Sequence, residues 1–178
     1  IIAQGAEAGG HRSMFLTDDI ATQPGTFALV PQMVDAVRVP VIAAGGIADG
    51  RGIAAAFALG AAGVQIGTAY LRCPESRVSP IIRQNLAQAR DGMTAITNVM
   101  TGRAARGIVN RAMRELGPGT ADTPGFPHAS AAFGPLKAAA EKTGSADFTN
   151  LWAGQAVALT HEMPATELTQ ALGDVEGS

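Results

Sequence analysis

Residues 39–68, VPVIAAGGIADGRGIAAAFALGAAGVQIGT, decide the fold of this chain. A short apolar run, 39–44, carries Pro40 at its start and leads into Gly45 and Gly46. A polar turn through Asp49 and Gly50 follows, then an alanine-rich helical segment over about 51–59. A second apolar run, 63–66, ends in Gly67 and Thr68. Strand, glycine turn, helix and strand in this order spell a parallel βαβ unit with a right-handed crossover. Both strands are near-continuous Val, Ile and Ala, as befits strands covered on both faces. Gly50-Arg51-Gly52-Ile53-Ala54-Ala55 matches the dinucleotide fingerprint G-x-G-x-x-A. That fingerprint needs the strand to run straight into its first glycine and an acidic residue to end the next strand. Here the strand has ended by Ala44 and the next one ends in Gly67-Thr68, so the Rossmann reading fails.

Glycines at the carboxyl ends of two neighbouring strands admit close approach of a ligand to bare backbone N–H groups. Such turns bind phosphate without a lysine. Two together look like the phosphate cup of an eight-stranded (β/α) barrel. The simpler alternative, that the glycines only make tight turns, is weakened by the second glycine pair.

Outward from this unit, residues 1–4 read as the tail of another buried strand, and 5–26 as a long loop of the kind that carries function. Residues 29–37 read as a helix with Pro31 in its first turn, and 80–90 as a helix opened by Pro80 and stopped by Gly92. Strand–helix alternation then ceases. Residues 93–103 read as irregular or short-stranded, and 106–116 as a helix whose Arg106, Arg111 and Arg114 face solvent. A breaker-rich linker, 117–127, precedes three further helices at 129–142, 149–161 and 165–172. The expected organisation is residues 1–92 as part of a parallel barrel and 93–178 as an all-helical extension packing on it. Three strands cannot close an eight-stranded barrel.

The 178 residues suffice for one domain with a sizeable core. A net charge of −2 leaves no basic excess for nucleic acid. No apolar run reaches a membrane span. Cys73 is the only cysteine, so neither a disulfide framework nor a metal site is expected, and a reducing, cytoplasmic setting fits. Beside Pro74 and without a neighbouring base, it reads as an inert thiol.

The loop after the first strand, Gly5-Ala6-Glu7-Ala8-Gly9-Gly10-His11-Arg12, sets three glycines around one histidine at a strand's carboxyl end. That is where parallel barrels keep their active sites, and imidazole is the commonest general base. A lone loop histidine is more often simply exposed. His128 and His161 have that plain reading.

AQGAEAGGHR at 3–12, PVIAAGGIADGRGIAAAFALGAAGVQIGTAYLRCPES at 40–76, TGRAARGIVNRAMRELG at 101–117 and LWAGQA at 151–156 together carry a resemblance. They are similar to the nitronate monooxygenases, once called 2-nitropropane dioxygenases, which are FMN-dependent TIM-barrel flavoenzymes. The resemblance covers nearly the whole chain but only the carboxyl half of a family member. It implies oxidative denitrification of nitronates and nitroalkanes with O2, giving carbonyl compounds and nitrite or nitrate. It implies that Gln4, Gly9 and Gly10 contact FMN and that Gly45 and Gly46 hold its phosphate. Gln65, Ile66, Gly67 and Thr68 would close the cup. His11 would remove the acidic carbon proton of a neutral nitroalkane. Ser13 stands where the family commonly has glycine, an expected change in the loop beside the substrate. The family's first strands supply an early flavin contact, so the expected partner is the missing amino-terminal half of the barrel, with Ile1 marking a break. The rival readings are an FMN-dependent NAD(P)H:quinone or enoyl reductase on the same barrel, a non-redox enzyme of phosphorylated substrates, and a half-barrel binding module.

Overall fold

The computed structural model describes residues 1–174; the last four residues of the expected 93–178 segment lie outside the described residues. The chain begins with β1 (Ile2–Gln4), β2 (Gly10–His11), α1 (Thr26–Ala36), β3 (Ile42–Ala44), α2 (Gly50–Ala58) and β4 (Gly63–Gln65). It continues with α3 (Thr68–Leu71), α4 (Pro80–Gln88), β5 (Thr94–Thr97), β6 (Ala105–Ile108), α5 (Arg111–Leu116), α6 (His128–Lys142) and α7 (Ala165–Gly173).

β1, β3 and β4 form a parallel sheet in the order β1-β3-β4, with Gln4, Ala44 and Gln65 in register at their carboxyl ends. The expected βαβ unit is therefore present, and its two glycine turns leave the same edge of the sheet. Small strand residues let the helices pack close. Ala3, Val41 and Ala43 form one buried cluster with Val30 of α1, Ala56 of α2 and Ala61. α2 opens on Asp49, whose carboxylate accepts from the N–H groups of Arg51 and Gly52 at 3.0 and 3.3 Å. Gly50 and Gly52 of the false dinucleotide fingerprint thus sit inside the first turn of this helix.

α1 starts at Thr26, three residues before the expected 29, because Glu7 reaches across from the first loop. Its carboxylate accepts from Thr26 N–H (2.8 and 3.0 Å) and from the Thr26 hydroxyl (2.9 Å). A carboxylate at a helix N-terminus satisfies donors that have no partner within the helix and complements the helix dipole.

The second half departs from the all-helical extension expected for 93–178. β5 and β6 lie in it and pair antiparallel with β2 in the order β2-β6-β5, so one sheet joins residues from both sides of position 92. All four residues of β6 are buried, and helix α5 begins only at Arg111, capped by the Asn110 side chain on Met113 N–H. Arg106, expected on a solvated helix face, is 7% exposed within β6. Its Nε donates to the Ala6 carbonyl (2.9 Å) and its guanidinium also reaches Thr94 Oγ1.

Residues 149–161 are likewise not one helix. Trp152 bridges to Gly107, and a 3-10 turn covers Gln155–Leu159. Leu151 and Ala153 are buried with Leu86, Ile108 and Val157, while Trp152 between them is only partly buried. That is the two-residue alternation of extended chain. Among the described residues no helix is long and apolar enough to cross a membrane.

Candidate active site

A cleft of about 350 Å³ lies at the carboxyl ends of the parallel strands. Ligand sites commonly fall between 300 and 1,000 Å³. Gln4, Gly9, Gly10, Gly45, Gly46, Gln65, Gly67 and Thr68 all line it. Ile66 does not. Its side chain alternates to the opposite face and packs with Ile53, Leu168 and Leu172, leaving only its backbone near the cup.

Gly46 needs to be glycine, since its φ of +73° disfavours any Cβ. Gly67 has an ordinary φ of −107°, and a Cβ there would meet nothing within 4 Å, so it faces open space. The backbone N–H groups of Gly46 and Gly67 donate to no described residue. Unpaired backbone donors on neighbouring turns are groups to which an anion can bind.

A strap, 151–156, closes one side. Trp152, Gly154 and Ala156 line the cleft, Gly154 N–H donates to Thr68 Oγ1 (3.0 Å), and Gln155 N–H to the Glu7 carbonyl (2.9 Å). Gly9 permits this contact: a Cβ there would stand 2.7 Å from the backbone of Ala153 and Gly154.

The His11 imidazole is set beside the cleft rather than among its lining residues. Its Nε2 lies 2.9 Å from Thr101 Oγ1, and Phe126 and Trp152 flank the ring at 5.5 and 5.7 Å. Trp152 therefore neighbours the imidazole and also lines the cleft. Burial, then the positive charges of Arg103 and Arg12, pushes the His11 pKa below its ordinary 6.5. A neutral imidazole at neutral pH is the form that accepts a proton.

Gln4 orients the loop. Its Nε2 donates to the His11 carbonyl (3.1 Å) and its Oε1 accepts from Ser13 N–H (2.8 Å). Only the backbone of Ser13 is used there, and among the described residues no non-glycine residue has positive φ, so serine fits where glycine was expected.

Arg12 escaped the sequence reading as a separate feature, although it stood beside His11. It is 2% exposed and donates to the carbonyls of Gly5, Ala6, Ala8 and Gly10, holding the loop from within. Burial and nearby Arg106 lower its pKa to about 10, against the opposing pull of Glu7, so it stays charged at neutral pH. Four charge-assisted bonds at roughly 1.5–3 kcal/mol each outweigh an ionic desolvation cost of several kcal/mol. Arg12→Met should therefore destabilise the protein by about 3 kcal/mol or more, since it strands these carbonyls. Urea denaturation measures this, and a loss below about 1 kcal/mol would show that the loop holds itself.

The description "Nitronate monooxygenase" belongs to a family model that matches residues 1–174. The nitronate monooxygenase of Pseudomonas aeruginosa is 45% identical over 173 residues, which are 97% of this chain and 49% of that protein. A probable nitronate monooxygenase of Staphylococcus saprophyticus is 42% identical over 172 residues, 96% of this chain and 48% of the relative. Among solved structures, nitroalkane oxidase from Streptomyces ansochromogenes superposes with a TM-score of 0.86 at 39% identity, covering 97% of this chain and 50% of that one. FabK from Thermotoga maritima gives 0.76 at 32% identity, covering 98% and 53%. The chain spans about half the length of the curated relatives it matches. With two glycine turns and the start of the histidine loop at the carboxyl ends of one parallel sheet, the chain belongs to the nitronate monooxygenase family.

Proposed function

We propose that the chain is the FMN-binding, base-bearing part of an enzyme that oxidises nitronates and nitroalkanes with O2 to carbonyl compounds and nitrite or nitrate. One observation carries the reading: two glycine turns with unpaired N–H groups share a cleft with the loop of His11. Gly45, Gly46, Gly67 and Thr68, with the backbone of Ile66, would hold the FMN phosphate. Gln4, Gly9, Gly10 and Gln65 would lie along the rest of the cofactor. When bound, FMN supplies the electron-accepting step.

The chain's own residues do the remaining work. Arg12 and Gln4 fix the loop so that His11 stands at one place beside the cleft. His11 takes a proton from the carbon next to the nitro group. Phe126, edge-on, and Trp152, tilted, pack beside the imidazole. Among the described residues β1 and β4 each leave one outer edge unpaired, and Ile2 at such an edge is 56% exposed. Bare parallel edges are normally covered, so the remaining barrel strands belong beside them, from protein outside these 178 residues.

The visible spectrum of the purified protein, with oxygen consumption on a nitronate, tests the reading. Flavin absorbance and nitronate-dependent uptake are expected. A protein that is colourless and cannot be reconstituted with FMN would end it. Bound flavin with rapid NADH oxidation and no nitronate turnover would favour the reductase alternative.

A further inference from the structure

The hydrogen bonds around Thr101 determine which nitrogen of His11 is free. Thr101 is 5% exposed in the turn between β5 and β6, its neighbours Val99 and Met100 fully buried. The turn is tied at two points: Gly102 N–H donates to the Asn98 carbonyl at 2.7 Å, and Gly102 packs against the backbone of residues 124–126. Thr101 Oγ1 has two contacts, His11 Nε2 at 2.9 Å and the Arg103 carbonyl at 3.1 Å. A hydroxyl carries one hydrogen, and a carbonyl can only accept. The Thr101 hydrogen therefore goes to Arg103, and the Thr101 oxygen must accept from His11. The reverse arrangement would leave the partly buried Arg103 carbonyl without a described donor.

We infer that Thr101 is a positioning residue that fixes neutral His11 as its Nε2–H tautomer, leaving Nδ1 as the nitrogen that takes the substrate proton. The role of Nδ1 rests on the reading of His11 as the base; the tautomer does not. Nδ1 has no hydrogen-bond partner among the described residues. In the step itself the C–H bond beside the nitro group breaks, its electron pair stays with the nitronate, and the proton forms a bond to Nδ1. The Nε2–H bond to Thr101 is the same before and after. No reorientation of ring or hydroxyl is needed as charge appears.

Nitrogen-15 NMR of the imidazole in the intact flavin-bound protein, above the His11 pKa, reads the tautomer directly. The expected spectrum has a protonated Nε2 and an unprotonated Nδ1 in the parent and in Thr101→Ser. Thr101→Val removes the acceptor, so the Nδ1–H form should appear. Turnover of neutral nitroalkane should then fall about 10- to 100-fold, inside the range of general-base effects, with preformed nitronate oxidised as before. Retained flavin absorbance in Thr101→Val and restored rates in Thr101→Ser exclude simple misfolding. A proton on Nδ1 in the parent, or an unchanged tautomer in Thr101→Val, overturns the inference. Full neutral-substrate turnover in His11→Asn would instead remove the base reading while leaving the tautomer assignment standing.

Discussion

His11→Asn should lower kcat/KM for a neutral nitroalkane by about 10²–10⁴-fold, the usual worth of a general base. Its activity on the preformed nitronate should largely persist, because that substrate has already lost the proton. Equal losses on both would mean that His11 shapes the loop instead of moving a proton. The parent's pH profile supplies a second check. Burial, Arg103 and Arg12 all disfavour the imidazolium, so the neutral base should survive to lower pH than an ordinary histidine. The acid limb for neutral substrate should therefore have its midpoint below 6.5. Stability follows the same sign. The folded protein binds this proton less tightly than the unfolded chain, so the contribution is present above the unfolded pKa. It is lost as pH falls through the folded one.

The phosphate cradle gives the second large effect, and its two glycines separate two causes. Gly67→Val introduces no backbone strain, because φ is −107°, and its side chain enters open space in the cleft. The variant should keep its unfolding midpoint while its FMN dissociation constant rises about a hundredfold. Losing one or two charge-assisted bonds at roughly 1.5–3 kcal/mol each suffices for that. Gly46→Val should weaken FMN similarly and also lower stability, since valine at φ +73° is a steric outlier. Titration of the apoproteins with FMN measures the first quantity and thermal unfolding the second. Unchanged FMN affinity in both variants would dismiss the cradle.

The parallel half was legible because its signals are local. Continuous Val/Ile/Ala runs, glycine at each strand end and Asp49 before α2 all act within a few residues. The same holds for α4, whose Ser79 cap and Pro80 adjoin in sequence. What escaped is held by distant partners. The start of α1 depends on Glu7, nineteen residues upstream. Arg106 is buried as a strand residue because its acceptor on Ala6 lies a hundred residues away. Read alone, an arginine beside Ala, Ile and Val resembles the rim of an amphipathic helix. The strap failed for a different reason: its alternation covers only Leu151 and Ala153, too short to outweigh the apolar residues that follow at helical spacing. Within the candidate site, the cleft-lining glycines and the loop of His11 stood out in the sequence. Thr101 could not be given a role, since only the β2–β6 pairing brings it to His11. Arg12 bonds carbonyls of its own loop, but only the folded loop turns them toward it.

Trp152 is the sole tryptophan of the chain, and it stands between the cradle and the base. This chain thus carries its one tryptophan at the point where a flavin ring would arrive. Emission should be strongly quenched in the flavin-bound protein, by energy transfer to the isoalloxazine, and should recover on deflavination. Under tryptophan-selective excitation this chain contributes one emitter, so a Trp152→Phe control isolates its signal, and stopped-flow mixing would time the arrival of FMN. Emission indifferent to bound flavin would place the chromophore elsewhere. The residue that walls the cleft is thereby also its gauge.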